Sequence, residues 1–419
     1  MSTWQVNASE KEFDSIINLP ASKSISNRAL IIQALLKNFN NNFNVKIENL
    51  SNADDTLIML DSISSENELI YVKNAGTCMR FLTAYFSCLP GVCKILDGDE
   101  RMKNRPISSL VDALRELGAD IEYLKNEGFP PLKIRGKRLN PAQDLLIDDT
   151  QSSQFLSAVL LVSPFLENKS SFIWNPNSDS ASYNKMTIDV LNNFGIKTEL
   201  SENRIVVYPA STNFIYNPNY TIESDWSSAA FFYEAMALQK KGKLILNNLF
   251  SKSIQADSAL IGLMEKFGVK TEFRENGIEI SFNPTLIEVN SKFDCRQNPD
   301  LVPALVCVAA CQNFSTEFIG LSKLNYKESK RLDELVIHLK KLNWELLFDS
   351  ESISLISNTD DETDFIFNTA KDHRMVMAYA MLAFQFKNIS LNEVHWVDKS
   401  FPSFWEEALN IGLTKLELV

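Results

Sequence analysis

Lys23, Ser24, Ser26 and Arg28 stand directly ahead of the apolar run Ala29-Leu30-Ile31-Ile32, and six further segments place Lys, Arg, Ser or His in the same way at the head of an apolar run. A helix N-terminus carries about +0.5 of an elementary charge, so a cation there costs about 0.3–1 kcal/mol. A bound anion reverses that penalty, because it is met by free backbone N–H groups as well as by the cation. Seven such segments point to a site that holds several anionic groups at once. Lys23, Arg28, Arg80, Arg101, Arg105, Lys327, Arg331, Arg374 and Lys399 supply the charge. Arg offers a bidentate fork and Lys a movable point charge. Ser24, Thr77, Ser152, Ser153, Gln154 and Ser180 supply neutral donors. Gly76 lets the backbone approach an anion closely. Two carboxylates lie among these cations: Glu328, in Tyr326-Lys327-Glu328-Ser329-Lys330-Arg331, and Asp300, in Asn298-Pro299-Asp300 ahead of the apolar run Leu301–Cys311. A carboxylate so surrounded stays ionised and can move a proton. Taken one at a time, each residue has a plainer reading: a capping Asp300, a helix-surface Glu328, a Ser152-Ser153 N-cap, a polar His373 at a helix start.

Bulk composition narrows the partners. The 419 residues are 45% hydrophobic and 22% charged, which suits a soluble globular chain of two or more domains. A net charge of -12 disfavours general nucleic-acid binding, so anion sites must be local concentrations of cations. The longest apolar stretches, such as Met375–Phe384, are about half of what a membrane span needs. No apolar leader follows Met1, and the expected location is cytoplasmic. The six cysteines form no CxxC pair and the three histidines, His338, His373 and His395, are far apart, so no metal site is expected. Cys307 and Cys311 lie i,i+4 in an apolar run and read as core.

The elements that must carry these residues repeat. LVDALRELGADIEYL (111–125), TIDVLNNFGIKTEL (187–200), LIGLMEKFGVKTEF (260–273) and LVIHLKKLNWELLF (335–348) each read as an amphipathic helix, a Gly or Asn at C′, and an alternating strand. Gly118, Gly195, Gly268 and Asn343 punctuate them at spacings of 77, 73 and 75 residues. That period is too long for a solenoid and indicates duplicated α/β subdomains, five to six in the chain. Other helices are expected to begin near Asn74-Ala75-Gly76-Thr77, Ser152-Ser153-Gln154, Asp225-Trp226-Ser227-Ser228 and Asp372-His373-Arg374, and Pro106 suits the N1 position of a helix over 107–117.

LPASKSISNRAL, NAGTCMRFLTA, DGDERMKNRPISSLVDAL, SSQFLSAVLL, NPDLVPAL, YKESKRLDEL, DHRMVMAYAML and KSFPSFWEEAL occur in an order and spacing that resemble the 5-enolpyruvylshikimate-3-phosphate synthase family, across residues 20–408. The resemblance implies an α/β fold of two similar domains, each of three βαβαββ units, an inside-out α/β barrel with the active site in the interdomain cleft. It implies a discontinuous first domain of 1–19 plus 225–419, and a second of 20–224. The implied reaction joins phosphoenolpyruvate to the 5-hydroxyl of shikimate 3-phosphate, without metal or organic cofactor, in an expected monomer. Carried over by motif, Lys23, Ser24, Arg28, Ser152, Ser153, Ser180, Tyr183, Asp300 and Lys327 contact shikimate 3-phosphate. Asn74, Gly76, Arg105, Gln154 and Lys399, with Lys23, meet the phosphate end of phosphoenolpyruvate, and Arg331 and Arg374 its carboxylate. Asp300, Glu328 and Lys23 are the implied catalytic residues. Lys73, Phe81 and Lys323 stand where many members carry other residues. The sister transferase acting on UDP-N-acetylglucosamine usually has a reactive Cys in the loop matching Asp97–Pro106, and this loop has none.

Overall fold

The computed structural model describes residues 3–39, 45–148, 150–179, 181–210, 219–358 and 366–418. The chain forms two compact units, residues 1–21 with 223–419, and residues 22–222. The two crossing segments pair with each other: Asp225 N–H donates to Pro20 O at 2.9 Å, and Ala21 bridges Ser224.

Each unit is built on three sheets. In residues 22–222 one repeat runs strand Leu69–Tyr71, helix Gly76–Ser87, strand Cys93–Asp97, helix Ser108–Glu116, and the hairpin Asp120–Tyr123/Leu132–Arg135. The first two strands pair in parallel, as a helical crossover allows, and the hairpin adds antiparallel strands. The same path recurs through Leu145–Leu146, helix Gln154–Val162, Ser170–Ile173, helix Ala181–Asn193, Thr198–Leu200 and Arg204–Val207. The third sheet is a parallel pair, Asn219–Thr221 with Lys46–Glu48, among the described residues; its helices are Lys23–Phe39 and Asp54–Ser64.

The other unit holds three four-stranded sheets. Their helices are Trp226–Gln239 with Leu260–Glu265, Val302–Cys311 with Arg331–Lys341, and His373–Met381 with Phe404–Asn410. In each pair the first helix is apolar nearly all round. Trp226–Gln239, Val302–Cys311 and His373–Met381 pack on one another as the centre of the core, with Phe231, Phe232, Leu305, Val306, Val376 and Met377 fully buried. Cys307 is buried there too.

Two local expectations change. The helix after Pro106 begins at Ser108 with Ile107 as its N-cap, so Pro106 lies outside it. Asp300 does not cap helix Val302–Cys311, which has Leu301 at its N-cap and no side-chain cap bond. The topology that remains has a simple result. Both parallel strands of a repeat run into helix N-termini at their C-terminal ends, and the chemistry-bearing residues sit in those connections.

Candidate functional site

In unit 22–222, Lys23 opens its helix and its Nζ lies 3.0 Å from Asp55 Oδ2, on the neighbouring helix Asp54–Ser64. One turn further, Arg28 is 2% exposed. Its Nε donates to Thr187 Oγ1 at 2.8 Å, Nη1 to Ser24 O at 2.8 Å, and Nη2 to Tyr183 O at 3.1 Å and Ser157 Oγ at 3.4 Å. These are four of the five N–H donors of a guanidinium. Every acceptor is neutral, and among the described residues no carboxylate pairs with Arg28. Burial therefore lowers its pKa to about 10, against small opposing effects of Tyr183 and Tyr220. Arg28 thus pins the helix that bears Tyr183 to the helix that bears Ser24.

Gly76 begins helix Gly76–Ser87, two residues after Asn74, and the Arg105 guanidinium fills the space that a β-carbon there would need. Arg80, buried on the same helix, donates to Gly76 O at 3.3 Å and to Pro106 O at 3.1 Å, which ties the Arg105 loop to the helix start. Gln154 opens helix Gln154–Val162 and gives its Nε2 to Thr77 Oγ1 at 3.0 Å. Ser152 Oγ accepts from Gln154 N–H at 3.3 Å, whereas the buried Ser153 makes no side-chain cap bond. So Ser152, and not Ser153, meets a backbone N–H at the helix start. Ser180, expected among the phosphate donors, lies outside the described residues.

In the other unit the charges are interlocked. Arg331, the first residue of its helix, has a side chain 1% exposed. Its Nε donates to Asp372 Oδ2 at 2.8 Å, Nη1 to Asp300 Oδ1 at 2.8 Å, and Nη2 to Glu328 Oε2 at 2.8 Å and to Asp372 Oδ1 at 3.2 Å. Asp372 is the N-cap of helix His373–Met381, accepting from Arg374 N–H, and also takes the Ser329 hydroxyl. Arg374 Nη2 reaches Asp300 Oδ2 at 3.0 Å, Lys327 Nζ lies 3.4 Å from Asp300 Oδ1, and Lys399 Nζ lies 4.0 Å from Glu328 Oε1. Burial by itself would raise the Asp300 pKa, but Arg374, Lys327 and Arg331 outweigh it and hold that carboxyl well below the usual range, with Glu328 opposing them. Burial likewise works against the Arg331 charge, and Asp372, Glu328 and Asp300 reverse that effect and raise its pKa.

The structure therefore joins Asp300, Lys327, Glu328, Arg331, Arg374 and Lys399 in one network. It also supplies residues that sequence reading did not select: Asp55 opposite Lys23, Asp372 beneath Arg331, and Asp257, whose carboxylate receives Asn298 Nδ2 at 3.2 Å. Asp372 was already visible as a helix-start residue; nothing local marks Asp55 or Asp257. Among the described residues no group of three or more His, Cys, Asp or Glu is arranged to hold a metal ion.

A family model described as EPSP synthase (3-phosphoshikimate 1-carboxyvinyltransferase) matches residues 61–408. A 3-phosphoshikimate 1-carboxyvinyltransferase of Bacteroides fragilis (strain YCH46) is 39% identical over 399 residues, covering 94% of this chain and 95% of that one. One of Haemophilus influenzae (strain PittGG) is 32% identical, covering 95% and 96%. Among solved structures, EPSP synthase from Acinetobacter baumannii aligns over 100% of both chains with a TM-score of 0.79 at 21% identity. The enolpyruvyl transferase NikO from Streptomyces tendae aligns over 100% of both at 0.71 and 12%. These two likenesses establish the fold, and the sequence matches establish the kinship. The chain belongs to the EPSP synthase (3-phosphoshikimate 1-carboxyvinyltransferase) family.

Proposed function

We infer that the chain transfers the enolpyruvyl group of phosphoenolpyruvate to the 5-hydroxyl of shikimate 3-phosphate and releases phosphate. Beyond kinship, one observation carries the reading: Arg28 is a buried cation with no carboxylate partner among the described residues, beside Ser24 and Tyr183. An uncompensated buried charge is costly, and an anionic substrate relieves that cost. Ser152, Ser153 and Ser180 are assigned to the 3-phosphate, with Tyr183 and Lys327 beside the ring. Asn74, Gly76, Arg105, Gln154 and Lys399 are assigned to the phosphate of phosphoenolpyruvate, and Arg331 and Arg374 to its carboxylate.

The 5-hydroxyl oxygen attacks C2 of phosphoenolpyruvate while C3 gains a proton. Phosphate then leaves the tetrahedral intermediate as C3 loses a proton. Asp300 accepts the hydroxyl proton. Within its charge network it is a weak base, because three cations favour its ionised form. Substrate anions that engage Arg331, Arg374 and Lys327 loosen that hold and strengthen Asp300 as a base when it is needed. Glu328 and Lys23 serve the C3 protons and the leaving group. The cations, arranged beforehand, stabilise the charge that develops. No cofactor enters these steps.

We also place the enzyme in the cytoplasm as a monomer. The absence of any helix long and apolar enough to cross a membrane among the described residues is consistent with that location. A phosphate-release assay with competing acceptors tests the assignment: shikimate 3-phosphate should support turnover and UDP-N-acetylglucosamine should not. The reverse preference would overturn it.

A further inference from the structure

Asp257 is a buried carboxylate in the short helical turn Ala256–Ala259. It lies between two elements that bear on Asp300. The Ser227 hydroxyl donates to its Oδ2, and Ser227 is the second residue of helix Trp226–Gln239, capped by Asp225. Asn298 Nδ2 donates to its Oδ1 at 3.2 Å. Asn298 belongs to the turn that ends in Asp300, closed by Asn298 N–H to Cys295 O at 3.0 Å and Leu301 N–H to Asn298 O at 3.1 Å. Asp257 thus anchors the Asp300 turn to a central core helix.

An amide of the same shape could accept from Ser227 as well. A carboxylate is a costly choice here, because it forms no ion pair within 4 Å among the described residues and faces a second carboxylate. The charged and titratable groups around it are Asp300 and Cys295 on the turn and Arg374 on helix His373–Met381. Burial and then Asp300 push its pKa up to about 6, against Ser227, Arg374 and Asn298. Burial keeps the Cys295 thiol neutral. What a negative charge does here that an amide cannot is repel the negative charge on Asp300. That repulsion is mutual, so it opposes Arg374, Lys327 and Arg331, the cations that hold the Asp300 carboxyl well below the usual range.

We propose that Asp257 is a positioning residue for Asp300, fixing the turn that carries it and raising its basicity by like-charge repulsion. The inference rests on the reading of Asp300 as the proton acceptor. Above the Asp257 pKa its charge strengthens Asp300; below it, Asp257 is neutral and Asp300 weakens, so turnover gains an acid limb near about pH 6.

The test is the profile of kcat against pH, from about pH 5 to about pH 8.5 at saturating substrates, for wild type, Asp257→Asn, Asp257→Glu and Asp300→Asn, with melting curves for each. Asp257→Asn should lose about tenfold in kcat at neutral pH, keep both KM values within about twofold, and lack the acid limb. Asp257→Glu should restore part of the rate together with a limb. An Asp257→Asn enzyme with wild-type kcat overturns the proposal. So does one that is slower but retains the limb, which would make the residue merely structural. Should Asp257→Asn fail to fold, Ser227→Ala decides. It removes a hydrogen bond that favours the charged form, so the limb should move to higher pH, and an unmoved limb overturns the proposal. Wild-type turnover by Asp300→Asn would remove the proton-acceptor reading and this inference with it. A crippled Asp300→Asn beside an indifferent Asp257→Asn overturns this inference alone.

Discussion

The guanidinium of Arg105 occupies the space a side chain at residue 76 would need: a β-carbon on Gly76 would stand 2.5 Å from Nη1 and 2.9 Å from Cζ. Arg80 braces the same junction from beneath, through Gly76 O and Pro106 O. Gly76 is therefore fixed by the close approach of a cation. The atoms in the way are the far end of a flexible side chain, so a methyl group displaces Arg105 and leaves the helix standing. Gly76→Ala should raise KM for phosphoenolpyruvate by about tenfold, a loss of about 1.4 kcal/mol. The melting temperature should stay within about 2 °C. Steady-state kinetics with a melting curve check both; an unchanged KM would remove Gly76 and Arg105 from the phosphate subsite.

Arg331 has a structural duty in addition to its assigned fork. Sequence alone suggests that Arg331→Ala mainly weakens phosphoenolpyruvate binding. In the structure the same substitution leaves Asp300, Glu328 and Asp372 facing one another without their shared cation. Removing one partner of a buried ion network costs about 3–5 kcal/mol. The variant should unfold at lower denaturant as well as show a raised KM. Undiminished stability in a urea titration would contradict the network.

Glu328→Gln and Asp300→Ala should each lower kcat by about 10²–10⁴-fold with the fold retained, since positioned proton transfer is worth that much. Circular dichroism verifies the fold and single-turnover rates measure the loss. A variant with near-normal turnover takes that carboxylate out of the mechanism.

Glu234 gives a pH effect on stability rather than on rate. It lies inside helix Trp226–Gln239, fully buried, and neither carboxyl oxygen has a hydrogen-bond partner. Burial pushes its carboxyl well above the usual range. The folded state therefore keeps a proton that the unfolded chain gives up above about pH 4.3, and stability falls as pH rises from there. Glu234→Leu should stabilise the protein by about 1–3 kcal/mol near neutral pH, and the gain should shrink toward pH ~4.5. Melting curves across that range decide; a variant less stable at every pH would contradict the burial argument.

The repeat was legible because each copy ends its helix in the same way. Gly118 and Gly195 adopt φ of 98° and 84°, which L side chains avoid, and each is followed by a bond that closes the helix end: Ala119 N–H to Leu114 O and Ile196 N–H to Leu191 O, both near 3 Å. Gly412 closes a further copy, ahead of strand Leu413–Leu418, where the helix Phe404–Asn410 is too short for its period to mark the repeat in the sequence. The helix starts at Asp225 and Asp372 were legible for a local reason, since each side chain caps its own helix. The partners of the site were not. Asp55 meets Lys23 across 32 positions, Asp372 meets Arg331 across 41, and Asp257 meets Asn298 across 41. No local pattern encodes such a pairing; it arises when different repeats bring their helix N-termini together. Cations gathered ahead of apolar runs thus pointed to anionic ligands, and the fold shows which carboxylates pair with those cations.

The central claim is an addition–elimination on phosphoenolpyruvate with shikimate 3-phosphate as acceptor. It is tested most directly by running the reaction in heavy water and following phosphate and the enol ether product by NMR. C3 passes through a methyl group that takes one solvent hydrogen and then loses one of three. Phosphate should therefore appear in step with product, strictly dependent on shikimate 3-phosphate and indifferent to chelators, and the product methylene should carry deuterium. Phosphate release without the acceptor, or a product free of solvent deuterium, would contradict the account.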